Sequence, residues 1–447
     1  MKNFKRIAFG ILFAFMMMMQ VNAADVSSDS ELATCLGTAG NTCTLKADVE
    51  LENTIEIAGD VILDLNGYTI SLSDTYAGID SMFVVLHGGK LTVNDSSSAK
   101  TGKITTEESA AVFVGIKMTK AGGDDTKTAS LVINGGTIEA TSYAISGNGN
   151  PGRSNTSIII NGGTLKGATT GIYQPQEGTV EVNGGEITGA TGIEMRAGSL
   201  EVNGGTIVGT ADSLEVNPSG NGAASSGAGI AVVQHTTKKE IEVTINGGEV
   251  QGFEALHESN PQKNSADAVE KVTIAINGGD FEAINGGKVA VYSENKTDFV
   301  KGGTFNTDLD DELIADTLTT KEENGVTYVG KENTITVKDA TNGLVKADKE
   351  KAINGQTVTL TVTAAKGYKL EKVVVKDASG KEITVKDNKF VMPDSNVEVS
   401  ATFVEDITVT PDVPKTGDNV MLFVGLGFMS IAAIAVAYNN LKKRATR

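Results

Sequence analysis

Glu181 and Glu201 stand at equivalent places in two neighbouring copies of a short repeated phrase. If such copies stack as adjacent strands, the two glutamates lie about 5 Å apart in backbone spacing. Glycoside hydrolysis uses paired carboxylates ~5–5.5 Å apart for retention of configuration and ~6.5–9.5 Å apart for inversion, so the pair is a candidate for catalysis. Other copies carry Val132, Ile159, Thr244 and Ala275 at this place, and no convergent polar groups surround the pair. On a chain with 56 acidic and 38 basic residues, two solvated glutamates are the simpler account. A second set is Tyr173, Glu194 and Arg196. The repeat predicts that these three point outward on neighbouring coils, offering a ring to stack on a sugar and charges to bond its hydroxyls.

Other chemistries find little support. His87, His235 and His257 are scattered, and neither HExxH nor a cysteine pair joins them into a metal motif. Asp308, Asp310, Asp311 and Glu312 have the oxygen ligands that calcium takes. They read more simply as the acidic first turn of a short helix over 308–317, favoured by the helix dipole. The Gly-Gly pairs match neither GxGxxG nor GxxxxGK[ST], which excludes a phosphate loop of those types. Cys35 and Cys43 are the only cysteines. A disulfide between them is permitted outside the cell, with two unpaired thiols as the alternative, and the lack of CxxC argues against redox activity.

The phrase that positions these residues recurs from Leu131, Ile158, Val180, Leu200, Val243 and Ile274, as in VEVNGGEITG. Alternating apolar residues flank an Asn-Gly-Gly turn, which predicts strand, turn, strand. A third strand follows in most copies, marked by Ile145, Ile172 and Gln174, Ile193 and Met195, Ile230 and Val232, and Val289 and Val291. The shortest cycle, 20 residues, fits one three-stranded coil of a parallel solenoid. Stacked coils would line up Asn134, Asn161, Asn183, Asn203, Asn246 and Asn277 as a ladder of side-chain amides. Separate hairpins in a β-sandwich are the weaker alternative, since a sandwich does not need the same residues at every corner.

Weaker copies at Leu63–Ile70, Leu91–Asn94 and Lys301–Phe305 bring the total to about nine coils. Copy spacings of 27, 22, 20, 43 and 31 residues require insertions. Met118–Ser130, Gly147–Ser157 and Val233–Glu240 fall at one corner. Ala211–Ala228, rich in Gly, Ser and Asn, leaves a different corner and reads as flexible.

Over residues 45–306 the repeat resembles the right-handed parallel β-helices of the pectin-lyase-like group, and the handedness is an implication of that resemblance. The group includes polysaccharide lyases and hydrolases, so the resemblance makes a wall-displayed enzyme the runner-up to a binding protein. Asp124-Asp125 does not reproduce the group's catalytic motif set. From Asn333 to Glu405 the composition changes, and GQTVTLTVTAAKGYKL, FVMPD and VEVSATF resemble the small β-rich modules related to internalin B-repeats. VTLTVTA, KVVVKD, KEITVKD and VEVSATF are its predicted strands.

Val413, Pro414, Thr416 and Gly417, followed by an uncharged span over 420–438 and a basic tail over 439–447, resemble the LPxTG sorting signal of Gram-positive surface proteins. Val stands where that motif has Leu. The resemblance implies cleavage by a sortase between Thr416 and Gly417 and attachment to peptidoglycan. About 20 apolar residues cross a ~30 Å hydrocarbon core, so an ordinary membrane anchor is the alternative. On the sorting reading the membrane is engaged only transiently. Residues 1–23 have the basic start, apolar run and small-residue site of a signal peptide.

The sequence therefore predicts an all-β protein. A signal peptide (1–23) precedes a parallel β-helix with terminal caps (24–330). A β-rich spacer module (333–405), a tether with the sorting motif (406–417), the apolar span and the tail follow. The formal charge is −18, and removal of both ends takes it to about −24, which disfavours nucleic acid and anionic membranes. The preferred function is a secreted, wall-anchored, non-catalytic adhesin without a cofactor, recognising a glycan or an extracellular protein of host or environment. A structural coat component is a third reading.

Overall fold

The computed structural model describes residues 22–106, 112–218 and 222–407. The signal peptide up to Val21, the sorting motif, the apolar span and the tail lie outside the described residues. Among the described residues, no helix is long and apolar enough to cross a membrane.

The repeat winds into a parallel β-helix with three long sheets, one strand of each per coil. The first-strand sheet has ten strands, from Asn22–Val26 to Val272–Ile276. The third-strand sheet has nine, from Ile55–Ile57 to Val291–Ser293. The second-strand sheet has twelve, the last two of which, Val326–Gly330 and Thr319–Glu323, run antiparallel. Parallel pairing excludes the sandwich alternative. Val289 is exposed and lies before its strand, so the third strand of that coil begins two residues later than the repeat suggests.

Stacking in strict register explains the core. Leu131, Ile158, Val180, Leu200, Val243 and Ile274 are aligned rung on rung and buried. A fully buried side chain of this kind contributes ~1.5–3 kcal/mol relative to exposure. No coil could bury its apolar face alone, so the stabilisation belongs to the stack.

The asparagine ladder is present and longer than the repeat suggests. Each Nδ2 donates to the Oδ1 of the preceding coil's Asn, from Asn277 through Asn246, Asn203, Asn183, Asn161 and Asn134 to Asn94, at 2.9–3.1 Å. The second glycine of each corner has positive φ, as at Gly185 (φ 84°), where an added Cβ would sit 2.7 Å from the Gly163 carbonyl oxygen. Both conformation and inter-coil spacing therefore select glycine.

The ends are covered. At the N-terminus Ser28 caps the helix Asp29–Leu36, and Leu32, Cys35 and Leu36 bury into the first coils. Cys35 and Cys43 form a disulfide. At the other end the predicted helix over 308–317 is only a single 3-10 turn, Asp311–Leu313, started by Asp310 Oδ1 accepting from Glu312 N. The cap there is the antiparallel hairpin, which pairs with Gly303–Phe305. An antiparallel partner closes the parallel sheet against further parallel stacking.

Residues beyond 333 form a separate β module with its own core around Val358, Val375, Phe390 and Val399. Its long strands are Thr357–Ala364, Tyr368–Asp377 and Val397–Glu405. The predicted strand KEITVKD is reduced to Glu382–Ile383.

Candidate functional site

One outward column runs along the third-strand sheet: Lys117, Ser146, Tyr173, Glu194, Ala231, His257, Tyr292, each one rung from the next. Tyr173 and Glu194 are thus outward-facing neighbours, as the repeat predicts, with Arg196 two residues on. They are not solvent-facing. The described parts of the insertion, 211–218 and 222–227, lie over this face as a strap, leaving Glu194 and Arg196 fully buried and Tyr173 nearly so.

The described parts of the strap are held firmly, against the flexibility predicted from their composition. Glu194 accepts from Ala224 N, Ser225 N and Ser225 Oγ at 2.7–3.0 Å. Arg196 Nη1 and Tyr173 Oη both donate to the Gly222 carbonyl at 2.8 Å. Arg196 Nε lies 3.8 Å from Glu194 Oε1. Burial pushes the Glu194 carboxyl up, while the bonds from Ser225 and Ala224 and the Arg196 charge pull it back. Burial also pushes the Tyr173 phenol up to about 12. A buried ion pair missing one partner costs ~3–5 kcal/mol, so these groups fasten the strap. As predicted ligand-binding residues, Glu194 and Arg196 are corrected to positioning residues, because the inserted chain occupies the face they were to present, whereas Tyr173 both fastens the strap and lines the cleft beside it.

What they position is a cleft of ≈ 500 Å³ beside the strap. Its floor is Tyr143, Tyr173, Ser146 and Lys117, and its walls are Phe113, the insertion 147–151, strap residue Gly222 and the insertion 235–237. The Tyr143 and Tyr173 rings pack with centroids 5.4 Å apart, and Tyr143 Oη accepts from Ala223 N at 3.2 Å. Phe113 is 38% exposed. Lys117 Nζ is paired with Asp80 at 2.8 Å, so its charge is answered within the cleft. Asn148 N is held by Gln176 Oε1 and Asn150 N by Asn148 Oδ1, fixing the 147–151 wall. Rigid aromatic surface with amide groups at the rim and balanced charge is the chemistry that recognises neutral polyhydroxylated ligands.

Glu181 and Glu201 are in register on adjacent first strands, as predicted. Each bonds the ladder: Glu181 Oε1 accepts from Asn183 Nδ2 at 2.8 Å and Glu201 Oε1 from Asn246 Nδ2 at 3.1 Å. They line neither the cleft beside the strap nor any of four other clefts on the described residues. Among the described residues no group of three or more His, Cys, Asp or Glu is placed to hold a metal ion. Sequence reasoning missed Phe113, Tyr143 and Asn148; the signal for them was that three insertions converge on one face.

Residues 333–407 match the family model of the divergent InlB B-repeat domain. Such modules are found on bacterial surface proteins, and the match is consistent with a cell-surface location. No curated protein and no solved structure matches the chain.

Proposed function

We propose that the chain is a wall-anchored, non-catalytic display rod that binds neutral glycans in the cleft of its third-strand face. The observation that carries this reading is the cleft itself, where Phe113, Tyr143 and Tyr173 meet the amide-bearing wall 147–151 beneath a fastened strap. The B-repeat module beyond residue 333 supports a role as spacer. The sorting-signal resemblance at Val413, Pro414, Thr416 and Gly417 supports sortase cleavage and linkage to peptidoglycan. The acidic surface favours neutral over anionic sugars.

The test is a glycan array probed with the purified protein and with Phe113→Ala and Asn148→Ala. Saturable binding to neutral glycans, weakened about tenfold by either substitution, is the expected result, the size of one lost contact of ~1.4 kcal/mol. Binding unaffected by both variants would move the site elsewhere. Release of shortened products, abolished by Glu181→Gln or Glu201→Gln, would make the protein an enzyme.

A further inference from the structure

The outward column continues beyond the strap. Three rungs from Tyr173 lies His257, and one further is Tyr292. There the face opens again into a cleft of ≈ 310 Å³ lined by Val216 of the strap, His257, Ser259, Asn260, Lys263 and Tyr292, with others. Tyr292 is 41% exposed and stacks on His257, ring centroids 5.2 Å apart and planes 11° apart. His257 itself is 4% exposed, and its Nδ1 lies 2.7 Å from Glu254 Oε2. With Nδ1 engaged by that carboxylate, Nε2 is the ring atom left to bond elsewhere. His257 Nε2 and Ser259 Oγ are both buried with no hydrogen-bond partner among the described residues. Buried polar atoms in native proteins are normally satisfied, and a pair left open beside a cleft implies a missing partner. A ligand hydroxyl, which both donates and accepts, matches either tautomer at Nε2, and a second polar group of the same ligand matches Oγ.

We infer that this second cleft is a further sugar subsite, and that the two clefts together take one extended chain of neutral sugars lying along the rod axis. The inference rests on the reading of the first cleft as a glycan site. From Ser146 to His257 is four rungs, about 19 Å at one strand spacing each. Both openings sit on one face, and the strap borders each of them, through Gly222 on one side and Val216 on the other. Gln262 Nε2 donates to Pro218 O at 2.7 Å, tying the wall of the second cleft to the strap. A single sugar would occupy one opening. The strap covers Glu194 and Arg196 between the two openings, so a chain that reaches both passes over it and must be longer than the axial rise alone.

Calorimetry with chito-oligosaccharides and manno-oligosaccharides of graded length, using the purified protein, tests this. For the series that binds, affinity should climb steeply once the oligomer is long enough to span the two openings. Tyr292→Ala and Ser259→Ala should each lower affinity about tenfold for long oligomers and leave short ones unchanged, the size of one lost contact. Tyr292 is partly exposed, and its removal should not unfold the chain. Flat length dependence with unaltered binding by both variants overturns the second subsite while leaving the first cleft standing. No binding by either series overturns both.

Discussion

Two corners of the rod obey opposite rules. The corner between first and second strands repeats Asn-Gly-Gly almost without variation, carries no insertion in those copies and links coil to coil through side-chain amides. The corner between third and first strands carries the insertions 119–128, 147–155, 234–240 and 260–271. One corner is fixed by what it must do inside the stack, and the other is free to grow chain outside it. Sequence regularity here marks structural necessity, and irregularity marks the surface available for recognition.

The sharpest way to break this contrast is Gly185→Val. A left-handed β-branched residue costs ~1–3 kcal/mol, and its Cβ would press on the Gly163 carbonyl. A loss of about 4 kcal/mol in a denaturant titration is expected.

Asp95 tests the corner where Gly-Gly is missing. Its carboxylate accepts from Gly67 N, Ser97 N and Gly102 N at 2.7–3.1 Å, doing for a degenerate coil what glycines do elsewhere. Asp95→Ala should cost about 3 kcal/mol, since three donors lose their acceptor. Burial pushes this carboxyl up, but the bonds from Ser97, Gly102 and Gly67 outweigh it and hold the group below the ordinary Asp range. The stabilisation is therefore complete above the unfolded value near pH 4 and disappears as pH falls through the lowered folded value. The stability gap between the native protein and Asp95→Ala should close in acid.

Asn183→Ala removes bonds to Asn161 and Glu181 and the acceptor for Asn203. These amides are exposed, so about 1–2 kcal/mol should be lost. At the opposite corner, Asn150→Ala on an exposed insertion tip should change stability by no more than about 0.5 kcal/mol. If Asn150→Ala destabilised as much as Asn183→Ala, the two corners would not differ in kind.

The rod was legible because its signal is repeated: period-two alternation, a fixed turn and equal spacing all state one coil. Asn94 escaped the ladder reading because its coil lacks Gly-Gly, although its strand aligns with the others. The fate of Tyr173, Glu194 and Arg196 was not legible, because alternation tells which side of a strand a residue faces and nothing of what crosses above it. The clue lay in the residues themselves. A carboxylate and a guanidinium, on facing outward positions of a small-residue sheet, need partners, and the strap's backbone N–H and C=O groups supply them. The C-terminal cap was misread for a related reason. Acidic residues ahead of Leu313 satisfy a helix start equally well for one turn or three, and only the pairing of Gly303–Phe305 with the hairpin decides it. The 260–271 insertion was hidden because the third strand before it, Glu254–Ser259, lacks the alternating apolar pair that marks this strand in other coils.

Every amide bond of the ladder points the same way, from a later coil's Nδ2 back to an earlier coil's Oδ1. A chain that winds from its amino end would therefore find, at each winding, an oxygen already waiting on the winding before. Assembly of this kind can advance like a ratchet, each turn templating its successor before the remainder of the chain has folded.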